Sequence, residues 1–136
     1  MTFSAERTIH ASASDVVAVL RDVRTLAAWN PALRPLRPAD PDAVIERRYR
    51  TAVRGLLPAT VVFTRLEPSV VEYRLRGGGA EERGRWLLAA AEGGEVRVTH
   101  SFEHTGVLLR ALRGSFTTVA QWRVERLESE VRAREE

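Results

Sequence analysis

Residues 107–134 read VLLRALRGSFTTVAQWRVERLESEVRAR, and the reading of this stretch decides how the rest of the chain must be arranged. Leu109, Leu112, Phe116, Val119, Ala120, Val124, Leu127 and Val131 recur mostly at intervals of three and four, which puts them on one stripe of a helix. No proline interrupts the run, and Arg, Glu, Leu and Ala fill its second half with good helix formers. A helix about 40 Å long, at roughly 1.5 Å per residue, cannot bury its stripe alone. It needs a surface of comparable length to lie against. Arg113 and Arg123 fall within or beside the stripe. A guanidinium there either snorkels to the edge or pairs with an acid such as Glu82 or with a ligand oxygen.

The preceding residues supply such a surface. Phe3 to His10 alternates with period two and predicts a first strand. Ser12 or Ser14 then offers a helix N-cap, with Asp15 favourable in the first turn. Val16, Val19, Leu20 and Val23 follow at helical spacing. A second short helix around Thr25 to Trp29 must stop at Asn30-Pro31. Pro31, Pro35, Pro38 and Pro41 allow at most an edge strand over Leu33 to Leu36. Beyond them, strands are predicted over Val44 to Val53, Ala59 to Leu66, Val70 to Arg76, Glu81 to Ala90 and Glu95 to Thr105. The turns between them carry Gly or Pro, which makes consecutive strands antiparallel.

The expected order is therefore β-α-α-β6-α, an α+β sandwich of about seven strands against one long helix. No repeat or linker divides residues 1–136, so one domain is expected. Hydrophobic residues make up 44% and charged residues 29%, a balance that excludes a disordered chain. No apolar run is long enough to span a bilayer, and the first residues lack the order of a signal peptide. A cytoplasmic location is the expectation. Without cysteine there is neither a disulfide framework nor a thiolate site. All 21 basic residues are arginine, but acidic residues are interspersed among them, and strand alternation splits Arg47 from Arg48 and Arg50. No nucleic-acid partner is expected.

Ile9 to Asp22 followed by Leu26-Ala27-Ala28-Trp29-Asn30-Pro31 resembles the N-terminal signature of the SRPBCC superfamily, the START-like, birch-pollen-allergen-like helix-grip proteins. The Leu66-Glu67-Pro68 turn, Gly84 to Leu88 and Arg97 to Glu103 are also similar. The resemblance spans essentially the whole chain and is nearest to the bacterial polyketide cyclase/dehydrase-like branch. Ser12 stands where relatives often carry proline, and a serine cap replaces it without harm. The resemblance implies a cavity between sheet and helix that holds apolar small molecules or lipids.

Strand parity names an inner face without the family. Val71, Tyr73 and Leu75 alternate against charged neighbours; Trp86 and Leu88 share parity with Glu82 and Gly84; Val96, Val98 and Phe102 share parity with His100 and His104. Ile45, Tyr49 and Val53 form a less clean set with Arg47, and Val61 and Phe63 take the inward parity. The expected pocket residues are Trp29, Tyr49, Phe63, Tyr73, Trp86 and Phe102, faced by Leu112, Phe116 and Arg123. Aromatic walls with a few polar tips suit a flat, partly oxygenated molecule.

His100 is the candidate acid/base, since an imidazole can shuttle protons near neutral pH, and Glu82 could orient it. The alternative for His100 is a core histidine bonded to a tyrosine or a carbonyl. His104, near a strand end, is expected on the rim. Two functions stay open, beside a third in which the outer sheet face serves as a lipid or co-chaperone interaction module. One is a polyketide cyclase/dehydratase-like enzyme, with Tyr49, Tyr73 or Arg123 as carbonyl donors. The other is a non-catalytic carrier or sensor of a hydrophobic ligand. No cofactor is expected, no residues show metal-ligand spacing, and a homodimer is left open.

Overall fold

The computed structural model describes residues 2–53, 57–106 and 118–135. Alternation in the first residues forms strand β1 (Thr2–Ile9), with Phe3 and Ile9 buried. Ser12 then caps helix α1 (Ala13–Arg21), its hydroxyl accepting from the Asp15 amide. A 3-10 turn over Val23–Thr25 leads into α2 (Leu26–Trp29). Asn30, before Pro31, leaves the helical region at φ −122°, ψ 81°, as a residue before proline must.

Strands β2 (Tyr49–Val53), β3 (Leu57–Glu67), β4 (Val70–Gly77), β5 (Ala80–Ala90) and β6 (Val96–Thr105) follow. The β4–β5 turn places Gly78 and Gly79 at φ 59° and 77°, the left-handed pair that a two-residue hairpin requires. All pairings are antiparallel in the order β1-β6-β5-β4-β3-β2. Helix α3 (Val119–Glu135) lies across β1, β6, α1 and α2 and buries Ala120, Arg123, Val124, Leu127 and Val131. This is the helix-grip architecture.

Two strand expectations need correction. Among the described residues the sheet has six strands rather than seven, because Leu33 and Arg37 make only isolated bridges to Val53 and Arg50. The four nearby prolines lack the N–H groups that a ladder needs. Strand β2 also starts at Tyr49, not Val44. Glu46 sits at φ 63°, which breaks the alternation and leaves Ile45 44% exposed. On β3, a register shift between Phe63 and Arg65 reverses the strand's parity beyond Phe63. The bulge returns Leu66 to the core side, opposite Val71, as an extra residue in one strand does. The part of the helix reading that rests on Leu109, Leu112, Arg113 and Phe116 lies outside the described residues.

Candidate functional site

A cavity of about 770 Å³ lies between the concave face of β2–β5, helix α2 and the first turns of α3. Its wall is mainly apolar: Leu26, Leu33, Val53, Val61, Phe63, Val71 and Leu75 line it, with Trp29, Trp86 and Trp122. Trp29 stands edge-on to Trp86, with ring centroids 5.6 Å apart at 78°. Aromatic pairs prefer such an edge-to-face arrangement.

One part of the wall is polar, and it is built by four elements. Tyr73 of β4, Glu82 of β5, His104 of β6 and Arg123 of α3 all line the cavity. Arg123 donates through Nη1 to Glu82 Oε2 at 2.8 Å and through Nη2 to Oε1 at 3.2 Å. The Tyr73 hydroxyl donates to the same Oε2 at 2.6 Å and accepts from Arg123 Nη1 at 3.2 Å. His104 Nε2 donates to Glu82 Oε1 at 2.7 Å, since an ionised carboxylate can only accept. The guanidinium also lies over the Phe102 ring, 4.6 Å from its centroid, within cation–π range.

His100 stands behind this cluster. Its Nδ1 lies 3.1 Å from the Arg85 carbonyl oxygen and its Nε2 3.4 Å from Arg123 Nη1. A carbonyl only accepts and a guanidinium only donates, so Nδ1 carries the proton and Nε2 presents its lone pair. The ring stacks on Trp86 at 3.8 Å and is 0% exposed.

Burial and charge act together on these groups. Burial, with the Arg123 charge beside it, lowers the His100 pKa to about 3. Burial alone would raise the Glu82 carboxyl, but the Arg123 charge and hydrogen bonds from His104, Arg123 and Tyr73 hold it well below the usual range. Burial works to lower Arg123, yet the adjacent Glu82 charge raises it. Burial followed by the Glu82 charge pushes the Tyr73 phenol well above its ordinary value. At neutral pH the cluster is thus a closed Glu82–Arg123 ion pair with a neutral Tyr73 phenol, and the His100 imidazole behind it is neutral. A buried pair of this kind persists only with its remaining hydrogen bonds satisfied.

The sequence-derived candidates divide accordingly. Trp29, Phe63, Tyr73, Glu82, Trp86 and Arg123 line the cavity; Tyr49, His100 and Phe102 do not. Leu112 and Phe116 lie outside the described residues. Tyr49 is instead sealed beneath the 40–48 loop, donating to Asp40 at 2.6 Å and accepting from the Val44 amide at 2.9 Å. His104, expected on the rim, is buried. Its inward parity was the better signal than its place near the strand end. Trp122 was missed because it lies beside the apolar stripe of the helix, yet it lines the cavity. Among the described residues, no group of three or more His, Cys, Asp or Glu could hold a metal ion. No described helix is long and apolar enough to cross a membrane.

Residues 1–133 match the protein family described as polyketide cyclase/dehydrase and lipid transport. Among curated proteins none matches. Solved structures share the fold at low identity. A hypothetical protein from Helicobacter pylori superposes with a TM-score of 0.77 at 16% identity, covering 96% of this chain and 88% of that one. Truncated norcoclaurine synthase from Thalictrum flavum gives 0.74 at 13%, covering 96% and 92%. A protein of the dynemicin biosynthetic locus gives 0.74 at 16%, covering 96% of this chain and 47% of that one.

Proposed function

The chain belongs to the polyketide cyclase/dehydrase and lipid-transport family, and we propose that it binds a flat, partly oxygenated apolar molecule of polyketide type in the sheet–helix cavity. The observation that carries this reading is the cavity itself, about 770 Å³ with three tryptophans in its wall, within the size range of small-molecule sites. Polar atoms on its lining residues support an oxygenated ligand. Trp29 Nε1 and Asn30 Oδ1 are buried without a hydrogen-bond partner among the described residues, and each such atom costs about 1–3 kcal/mol that a ligand hydroxyl or carbonyl can recover. All three tryptophans of the chain line the cavity, so titration with a tricyclic quinone should quench intrinsic fluorescence saturably. A linear, unsaturable response would sink this reading.

A second reading, cyclisation or dehydration of the bound molecule, is favoured by one observation. Tyr73, Glu82, His104 and Arg123 converge at a single place in the wall. In this reading Glu82, expected from the sequence to orient His100, instead fixes Tyr73, His104 and Arg123 in the wall by accepting a hydrogen bond from each, and the Arg123 guanidinium beside it is the donor for a substrate carbonyl. His100 serves as a positioning residue. Both of its ring nitrogens are engaged, and a pKa of about 3 is a poor match for a general base working near neutrality.

A further inference from the structure

Gly84 lies on the inward face of β5, directly opposite Tyr73 of β4, between the buried side chains of Glu82 and Trp86. Glycine inside a strand ordinarily weakens it and marks a place where something approaches closely. Here the approaching group is the Tyr73 ring. A Cβ built at position 84 would overlap Cζ, Cε1 and Oη of that ring. The phenol therefore occupies the space that any side chain at 84 would need.

We propose that Gly84 is the positioning residue that sets the depth and polarity of the cavity floor. By carrying no side chain it lets Tyr73 lie down across the sheet, with its hydroxyl in the Glu82–Arg123 cluster and its bulk out of the ligand space. Lateral escape is blocked. The stacked Trp86–His100 pair stands on one side, with centroids 3.8 Å apart, and the Glu82–His104 hydrogen bond at 2.7 Å on the other. A methyl group at 84 leaves the ring only the cavity to turn into. The Glu82 carboxylate then loses the 2.6 Å phenol hydrogen bond, and the pocket loses the volume of a ring. The placement of Tyr73 stands on geometry alone; its consequence for affinity rests on the reading of the cavity as a ligand site.

The test is a double-mutant cycle of Gly84→Ala, Tyr73→Ala and the pair, read by thermal unfolding and by Nile red binding. Gly84→Ala alone should lower Tm by about 5 °C or more and weaken Nile red about tenfold. In the Tyr73→Ala background the same change should leave Tm and dye affinity nearly unaltered, a non-additivity that residues in contact show. In the wild-type protein, a nuclear Overhauser contact between Gly84 Hα and Tyr73 Hε should be present whether or not the variants fold. Additive effects in the cycle, or absence of that contact, would overturn the assignment. Coupling without any Nile red binding would uphold the placement of Tyr73 and remove the cavity reading instead.

Discussion

The Glu82–Arg123 pair illustrates how single side chains set the behaviour of this protein. Both residues are nearly buried, at 6% and 8% exposure, so neither charge can be left alone. Arg123→Met should cost about 3–5 kcal/mol in urea unfolding at neutral pH, because it strands the carboxylate. Removing both charges as Glu82→Leu/Arg123→Met should recover most of that loss. His100 makes stability depend on pH. Its folded pKa of about 3 lies below the ordinary 6.5, so between these values the unfolded chain binds a proton that the folded chain refuses. Stability is complete above about 6.5 and falls as pH drops toward 3. The depressed Glu82 carboxyl adds a second loss, as pH falls below its unfolded value of 4.5. In chemical denaturation, His100→Gln should flatten the slope between pH 6.5 and 4.5 and remove the imidazole's share of the fall between 4.5 and 3, keeping the share of Glu82. An unchanged slope would mean that the imidazole is not held neutral by its surroundings.

At the scale of elements, the 40–48 loop shows how a strand expectation fails. Val44 to Val53 has strand-like composition, but Tyr49 fastens the loop from below through Asp40 and the Val44 amide. Burial, together with the Asp40 hydrogen bond, raises the phenol pKa, so the group remains a donor across the physiological range. Tyr49→Phe should cost about 1–3 kcal/mol, the penalty of leaving buried partners unpaired. It should leave fluorescence quenching by a quinone unaltered, because Tyr49 does not line the cavity. Helix α3 is fastened at its far end in a comparable way. Arg134 reaches the buried Asp22 carboxylate at 2.8 Å and Thr25 Oγ1 at 2.7 Å, while Glu128 joins Arg7 at 2.8 Å and Arg132 at 3.6 Å. Of these contacts only the pair four residues apart, Glu128 with Arg132, could be read from spacing. The others join segments more than a hundred residues apart.

For the whole molecule, the open choice is between holding a ligand and transforming it. A carrier should co-purify with an unaltered hydrophobic molecule detectable by mass spectrometry, and Glu82→Gln should change its affinity alone. A cyclase or dehydratase should convert a poly-β-ketone, and Glu82→Gln should abolish turnover while affinity stays within a few fold. Glu82 is closed in its ion pair with Arg123, and His100 is held neutral behind the cavity wall.

Periodicity and turn chemistry determined the order of strands and helices, the antiparallel pairing and the apolar face of the C-terminal helix over Val119–Glu135. Those are local properties: turn chemistry and the periods of 2 and 3.6 act over a few residues. Parity also placed Tyr73, Glu82, Trp86 and His100 on the inner face, and the position of Arg123 raised its pairing with Glu82 as one alternative. Only the tertiary structure decided which inward residues reach the cavity and which lie behind it. His104 joined the cluster and His100 withdrew because strand register and the height of α3 above the sheet set those depths. Gly84 had no visible purpose until Tyr73 was seen lying over it. Such relations depend on distances between segments far apart in the chain, and no period in the sequence records them.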